Sequence, residues 1–432
     1  MRQRKAVARV ASIIGVMVLL LGVRSQIAPA AAATKITLLT HPVLYAAMGK
    51  ETGVIADFKK RTGIEVEVVT GPTEQIQEKA LAEFVAGSGR FDIVNLIDTM
   101  YTSEMVQFLE PLEERLKAAD AGYAKDDLIG SLVESLRLGG RQVGIPFRVG
   151  TAMLYHRADL FRQKGLLPPK SWEEFMAAAR ALTMDTNNDG KVDVYGVSVR
   201  GKPGFEVVTD FTNYLYAHGG LVLNKDHTRC ALTEPAALAG ARTFVDVHRK
   251  GYASPDMLAH ARDDLIGNLQ QGRAAMGIMF SPYWGFLQDA KATPHVGKFG
   301  WGLVPSAPGV PSGRTLNSLW SFAIDRKSRN KDAAWELVKW LSNRENQLEM
   351  AFKYNNGPVR ASVYENAEYG KKFPLAKDWL KAIGASLTLP AHRNWFRMQD
   401  IISTEVIAAL RGGKTPDAAM QGACEQIARL LR

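Results

Sequence analysis

The chain has 432 residues, of which 46% are hydrophobic and 23% charged, and its net charge is +10. This composition is typical of a globular protein, and the length favours two domains over a single core. The first 33 residues hold five basic and no acidic residues, which leaves about +5 for the rest, and no arginine-rich tract interleaved with aromatic residues follows. Nucleic acid is therefore not expected as a partner.

The first 33 residues have the three-part pattern of a secretory signal peptide. Four basic residues precede an apolar run at 10–23, and an alanine-rich segment at 28–33 follows. The apolar run is shorter than the ~20 residues that span a bilayer, so a cleaved signal peptide is favoured over a membrane anchor. We expect export to the periplasm.

Apolar strands and amphipathic helices alternate after residue 34. The predicted elements of this region are strands at 36–39, 64–69 and 91–97 and helices at 51–62 and 73–84. The β-α-β-α-β order implies right-handed crossovers and a parallel, doubly wound sheet in an α/β fold. Such sheets bind ligands beyond the carboxyl ends of their strands, so His41, Asp98 and Tyr101 are candidate ligand-binding residues. Asp98 is equally well placed to cap a helix.

A polar loop at 185–193 has the spacing of a calcium-binding loop. Oxygen-bearing side chains alternate along it, and Gly190 allows a sharp turn. The candidate ligands are Asp185, Asn187, Asp189, the carbonyl group of Lys191, and Asp193. Gly196 stands where such loops carry a bidentate glutamate, so an ordinary polar turn is the alternative. No other cofactor is expected.

The stretch 271–284 combines a strand with two aromatic residues. Its segment 274–280 is small and apolar, which fits a strand covered on both faces, and Pro282 ends it. Tyr283 and Trp284 then follow the carboxyl end of that strand, where a ligand is expected. The alternative is that Trp284 covers the core.

Cysteines and catalytic motifs add little to the prediction. Cys230 and Cys424 can pair in an exported protein or remain as two buried thiols. We find no nucleophile elbow, phosphate-binding loop, dinucleotide fingerprint or zinc motif, and no spacing selects a pair of hydrolase carboxylates. An enzyme is not expected.

Seven segments, taken in order, carry a resemblance to a known family. They are 57–64 (DFKKRTGI), 91–94 (FDIV), 145–147 with 154–161 (IPF and LYHRADLF), 168–175 (PPKSWEEF), 272–276 with Trp284 (GRAAM), 330–335 (NKDAAW) and 413–419. Over almost the whole chain after residue 33, the sequence resembles the extracellular solute-binding proteins of ABC importers, in particular the sugar-binding, maltose-binding-protein-like family.

The resemblance implies a periplasmic-binding-protein fold, with two doubly wound lobes joined by a hinge of several strands. Carried onto this chain, the first lobe comprises 34–146 and 275–325, and the second comprises 147–274 and 326–432. The family binds sugars between its lobes, on aromatic rings and polar side chains. The positions that match are Asp98, Phe147, Arg148, Trp284, Trp320, Arg360 and Trp395.

The resemblance also implies a function. We expect a monomeric periplasmic subunit that captures a sugar or polyol and delivers it to membrane permease subunits. Arg148 stands where sugar binders often carry an acidic or neutral group, and Arg360 adds positive charge, so an anionic sugar phosphate or uronic acid is the alternative ligand. An exported carbohydrate hydrolase and a sensor partner of a membrane receptor are further alternatives.

Overall fold

The computed structural model describes residues 34–431, and the predicted signal peptide lies outside the described residues. None of the helices in the described part of the chain is long and apolar enough to cross a membrane.

A mixed sheet of eight strands forms the centre of the fold, in the order β2-β1-β3-β10-β6-β8-β7, with β9 pairing to β6. Two short strands, β4 and β5, pair separately. The strands are β1 Lys35–Thr40, β2 Glu65–Thr70, β3 Ile93–Ile97, β4 Arg137–Leu138, β5 Arg141–Gln142, β6 Ile145–Arg157, β7 Tyr195–Ser198, β8 Ala274–Phe280, β9 Phe299–Gly302 and β10 Asn317–Ile324.

The α/β fold class is confirmed, and the sheet is parallel only in part. Strands β1, β2 and β3 pair in parallel, as their helical connections predict, and so do β7 and β8. By contrast, β10 runs antiparallel to both β3 and β6, and β6 runs antiparallel to β8 and β9. The strand at 274–280 is buried on both faces as predicted, because apolar residues cover it whichever way its neighbours run.

Helices cover the sheet, and several begin with the caps that the sequence indicates. Ser171 and Glu174 form a complete capping box, and Thr415 caps the last helix ahead of Pro416. The helices are α1 Pro42–Ala47, α2 Val54–Thr62, α3 Thr73–Ala86, α4 Ser103–Val106, α5 Glu113–Lys117, α6 Gly130–Glu134, α7 Ala158–Gln163, α8 Trp172–Ala181, α9 Phe205–Ala217, α10 Pro235–Arg249, α11 Arg262–Gln270, α12 Trp284–Leu287, α13 Lys331–Ser342, α14 Arg344–Tyr354, α15 Ala361–Tyr364, α16 Ala367–Lys372, α17 Ala376–Ala385, α18 Trp395–Leu410 and α19 Pro416–Leu430.

The buried side chains form two hydrophobic cores. The first core packs around β1, β2 and β3, and the second packs around β7, β8, α9, α10, α18 and α19. The long strand β6 belongs to both, because Val149 lies in the first core and Ala152 in the second. Strand β8 also contributes to both, with Met279 in the first core and Phe280 in the second, and the chain returns to the first core at Trp284 and passes between the cores again from Leu316 to Leu319.

The division of the chain between the cores differs from the predicted lobes at 326–432. We predict this whole segment in the second lobe, yet the buried residues of α13 to α17 pack in the first core, and only α18 and α19 join the second. Two hydrogen bonds fix α13 and α14 to the first core: the indole N–H of Trp340 donates to the Val54 carbonyl (2.7 Å) and Gln347 Nε2 donates to the Phe147 carbonyl (3.0 Å). These contacts bridge about 200 residues or more of sequence, so local patterns carry no signal of them.

The two cysteines form a disulfide in the second core. Cys230 and Cys424 are bonded to each other, which ties the loop before α10 to helix α19 across 194 residues. The bond restricts the unfolded chain, and this is the usual physical basis of disulfide stabilisation.

Candidate functional site

A cavity of about 420 Å³ lies where the chain passes between the two cores. We call it the central cavity. Each of the three passages contributes to its wall: Gly150 from β6, Phe280 from β8 and Ser318 from β10. The first core supplies Leu44 and Ile97, so the cavity has walls from both cores. Its volume suits one small ligand.

Four of the predicted ligand-binding residues line the central cavity: His41, Arg148, Tyr283 and Trp320. His41 and Tyr283 follow the carboxyl ends of β1 and β8, as the position of sites in open α/β sheets predicts. Arg148 and Trp320 are direct partners across the β6–β10 pair, so their side chains project from the same face of the sheet.

Three aromatic rings of the cavity wall are open to solvent to different degrees. Tyr283 and Trp320 are half-buried, and Phe205, the first residue of α9, is 43% exposed. Trp320 contacts the ring of His41 with 5.8 Å between centroids, and Tyr283 meets Phe280 edge to face at 6.0 Å. Rings held by such contacts present flat apolar faces without needing a ligand to order them.

The exit of β8 is anchored to β6 by hydrogen bonds around Ser281. The Ser281 hydroxyl accepts the N–H of Thr151 (3.1 Å), and the Tyr155 hydroxyl donates to the Ser281 carbonyl (3.1 Å). Pro282 fixes the next backbone dihedral angle. Tyr283 is therefore held in place by the strand behind it.

Three arginines and two carboxylates are the charged residues of the cavity wall among the described residues: Arg148, Arg200, Arg262, Glu206 and Asp263. Arg200 is 2% exposed, and its Nε donates to Asp210 Oδ1 (2.7 Å) while its Nη1 lies 3.3 Å from Glu206. Arg262 pairs with Asp263 at 2.8 Å. Burial raises the pKa of Tyr283, although all three arginines act to lower it, so its hydroxyl stays protonated at neutral pH.

Trp284 does not line the central cavity. It is 5% exposed and packs in the first core, stacked on Tyr155 at 6.1 Å and edge-on to Trp301 at 5.4 Å. This burial favours the alternative that Trp284 covers the core, and its role in ligand binding stays a prediction. The short helix α12 begins at Trp284, so the ring leaves the chain in a different direction from that of Tyr283.

Asp98 and Tyr101 line a second cavity of about 450 Å³, together with Tyr216 and Arg314. Asp98 is buried, and its Oδ2 accepts the N–H of Leu319 (3.0 Å), which fixes β10 to the end of β3. Burial raises the pKa of Asp98 to about 7. The Tyr101 hydroxyl lies 2.6 Å from the Ser321 hydroxyl. Both side chains are thus engaged with β10 outside the central cavity.

Phe147, Arg360 and Trp395 are structural residues in the cores. Phe147 is fully buried against Phe322, with 4.6 Å between ring centroids, and Trp395 is 2% exposed in the second core. The guanidinium of Arg360 is buried 4.7 Å from the ring of Tyr123 and donates to the Ala124 carbonyl (2.8 Å). The structure does not bring these three residues to the cavity that holds Tyr283.

The polar loop 185–193 is an exposed turn between α8 and β7. The Asp185 carboxylate accepts the backbone N–H groups of Asp189 (3.2 Å) and Gly190 (2.8 Å), and Asp193 accepts hydrogen bonds from Thr186. Within residues 34–431, no three histidine, cysteine, aspartate or glutamate side chains form a group that could hold a metal ion. The calcium site stays a prediction.

Sequence reasoning missed several residues of the central cavity. Arg200, Phe205 and Glu206 surround the amino-terminal end of α9, and Arg262 begins α11. Helix α9 is buried from Val207 to its end, and only its first two residues, Phe205 and Glu206, line the cavity. The available signal was the position of Arg200 just beyond the carboxyl end of β7, the same rule that selects His41.

Comparison with known proteins agrees with this architecture. Residues 45–348 match the model of the bacterial extracellular solute-binding protein family. A probable ABC transporter-binding protein of Deinococcus radiodurans is 23% identical over 376 residues, covering 86% of this chain and 88% of the relative.

Two solved structures share the fold over most of the chain. A solute-binding protein of Agrobacterium radiobacter in complex with ribitol is 24% identical with a TM-score of 0.80, covering 92% of this chain and 98% of that chain. Maltose-bound MalE3 of T. maritima is 24% identical with a TM-score of 0.79, covering 92% and 100%. The fold is that of a periplasmic binding protein. The chain belongs to the bacterial extracellular solute-binding protein family.

Proposed function

We propose that this protein is the periplasmic substrate-binding subunit of an ABC importer and that it captures a sugar or polyol in the central cavity. The observation that carries the proposal is the combination, in one cavity between two cores, of the half-buried rings of Tyr283 and Trp320 with the polar side chains around them. Aromatic faces shelter the C–H surface of a sugar from water, and guanidinium and hydroxyl groups bind its oxygens.

The relatives support this class of ligand. The similar structures from Agrobacterium radiobacter and T. maritima contain ribitol and maltose, a polyol and a sugar. A cavity of about 420 Å³ suits a ligand of that size rather than a long oligosaccharide. We further propose that the protein acts as a monomer and releases its ligand to membrane permease subunits.

Binding without turnover is favoured over hydrolysis. A glycoside hydrolase needs two carboxyl groups that flank the scissile bond. Both described carboxylates of the cavity wall are instead paired with arginine, Glu206 with Arg200 and Asp263 with Arg262. Such pairing holds the arginines in position, and no further carboxylate of the described residues lines the cavity to complete a hydrolase pair.

Titration calorimetry with a panel of sugars and polyols tests the proposal. We expect one member to bind at a stoichiometry of one and to be recovered unchanged. Trp320→Ala removes a cavity ring and should weaken that binding. Trp335→Ala serves as the control, because Trp335 is buried in the first core and does not line the cavity. Failure of every sugar and polyol to bind, their carboxylates and phosphate esters included, or release of hydrolysis products, would overturn the proposal.

A further inference from the structure

Arg148 differs from the other two arginines of the central cavity in having no acceptor for its guanidinium group. Among the described residues, it forms no side-chain hydrogen bond and no ion pair. Arg200 is held by Asp210 and Glu206, and Arg262 by Asp263. The cavity wall therefore contains one cation whose charge no described carboxylate neutralises.

The surroundings of Arg148 make this charge costly. Burial lowers the pKa of Arg148, and the nearby Arg262 acts in the same direction. An arginine nevertheless stays protonated in proteins, so the half-buried side chain of Arg148 keeps its charge in the cavity wall. Burying a charge without a partner is unfavourable, and an anion that enters the cavity relieves that cost.

The groups around Tyr283 define where an anion would lie. Arg148, Arg200 and Arg262 line the central cavity together with Tyr283, and all three act to lower the pKa of that phenol. Trp320 is the cross-strand partner of Arg148, so an aromatic face lies beside the cation without an acceptor. The cavity thus has a cationic region next to an apolar ring.

We propose that the ligand is a small polyhydroxylated anion, a sugar or polyol that carries a carboxylate or phosphate group, and that Arg148 binds its acid group. The proposal rests on the proposed function and specifies the class of its substrate. A guanidinium group presents parallel N–H donors that match either kind of oxyanion. The Tyr283 hydroxyl donates to the same group, and the carbon chain lies toward Trp320.

Calorimetry on matched ligands tests the proposal. For each of glycerol, ribitol, mannitol and glucose, the neutral compound is compared with its carboxylate and its phosphate ester. We expect an acid to bind about ten- to a hundredfold more tightly than the neutral compound with the same carbon skeleton. A hydrogen bond to a charged group contributes a free energy that corresponds to about this ratio of affinities. The advantage should shrink as salt is added. Comparing the carboxylate with the phosphate ester of each compound shows which acid group the protein prefers.

Arg148→Gln should abolish that advantage, so that the acid and the neutral compound bind to the variant with similar affinity. Its melting temperature without ligand should equal or exceed that of the wild type, because the substitution removes a half-buried charge that has no described partner. The matched control is Arg393→Gln, because Arg393 is 61% exposed and does not line the cavity. This control should keep full affinity for the acid.

The outcomes separate this inference from the proposed function. Equal or tighter binding of a neutral compound overturns the inference and leaves the proposed function standing. Equal affinity for inorganic phosphate or acetate also overturns it, because the polyol would then contribute nothing. If the Arg148→Gln variant still binds the acid more tightly than the neutral compound, Arg148 does not bind the acid group. Failure of every carbohydrate in the panel overturns both.

Discussion

Tyr283 and Trp284 are adjacent aromatic residues with opposite environments. Tyr283 lies in the wall of the central cavity, whereas Trp284 is buried against Tyr155 and Trp301. Both follow the carboxyl end of the same strand, so the rule that sites lie there cannot distinguish them. What separates them is the start of helix α12 at Trp284, which turns its ring into the first core.

Alanine substitutions at these two positions should therefore have opposite effects. Tyr283→Ala should weaken ligand binding about ten- to a hundredfold, which corresponds to losing an aromatic contact of ~1.5–3 kcal/mol, with little change in unfolding. Trp284→Ala should cost roughly 3–5 kcal/mol in the free energy of unfolding. Urea unfolding and calorimetry of both variants check this. A stable Trp284→Ala protein that has lost ligand affinity would show that the indole contacts ligand after all.

Asp98 makes the stability of the protein depend on pH. Burial raises the pKa of Asp98 to about 7 from an ordinary value of 3.8, so between these values the folded protein holds a proton that the unfolded chain releases. Its contribution to stability is then complete below about pH 4 and is lost as the pH rises through about 7.

Asp98→Asn should remove that dependence, because asparagine is neutral at every pH and keeps an oxygen for the N–H of Leu319. The free energy of unfolding of the variant, relative to the wild type, should be higher at pH 8 than at pH 5. Urea titrations of both proteins at the two pH values measure this difference. The same difference at pH 5 and at pH 8 would contradict a raised pKa at Asp98.

At the scale of elements, the sequence predicts helices and strands well and their partners poorly. The strand at 274–280 and the capping box at Ser171 follow from local patterns, and the structure has both. The antiparallel pairing of β10 with β3 and β6 joins residues far apart in the chain, and no local pattern reports it. Four of the ten predicted ligand-binding residues line the central cavity. His41 and Tyr283 follow strand ends, which locate a site, whereas Arg148 and Trp320 lie within β6 and β10, and their position depends on the pairing of those two strands.

The loop 185–193 is an element whose function the sequence leaves open. Its carboxylates already satisfy backbone N–H groups, as they would in an ordinary turn, and the same oxygens are calcium ligands in loops of this spacing. If calcium binds, chelation should lower the melting temperature and added calcium should restore it by mass action. The variant Asp189→Asn/Asp193→Asn should not respond to either treatment. A wild-type melting temperature that is insensitive to calcium would leave an ordinary turn.

At the scale of the whole molecule, the central cavity lies over the three places where the chain passes between the cores. Gly150, Phe280 and Ser318 mark these passages, and all three line the cavity. A ligand bound there contacts both cores, so its binding energy favours whichever arrangement of the cores brings both walls onto it. The passages lie in β6, directly after β8 and at the start of β10, so each of them adjoins the central sheet.

We therefore predict that the molecule becomes more compact when it binds ligand. Solution scattering should give a smaller radius of gyration at saturating ligand than without it. The control is the Tyr283→Ala variant at a ligand concentration that saturates the wild type but not the variant. The variant should keep the larger radius of gyration, which shows that dissolved ligand alone does not change the scattering. If the radius is unchanged while calorimetry shows the site to be saturated, the cores do not close on the ligand, and the wall residues of the two cores must already stand at their binding distances in the empty protein.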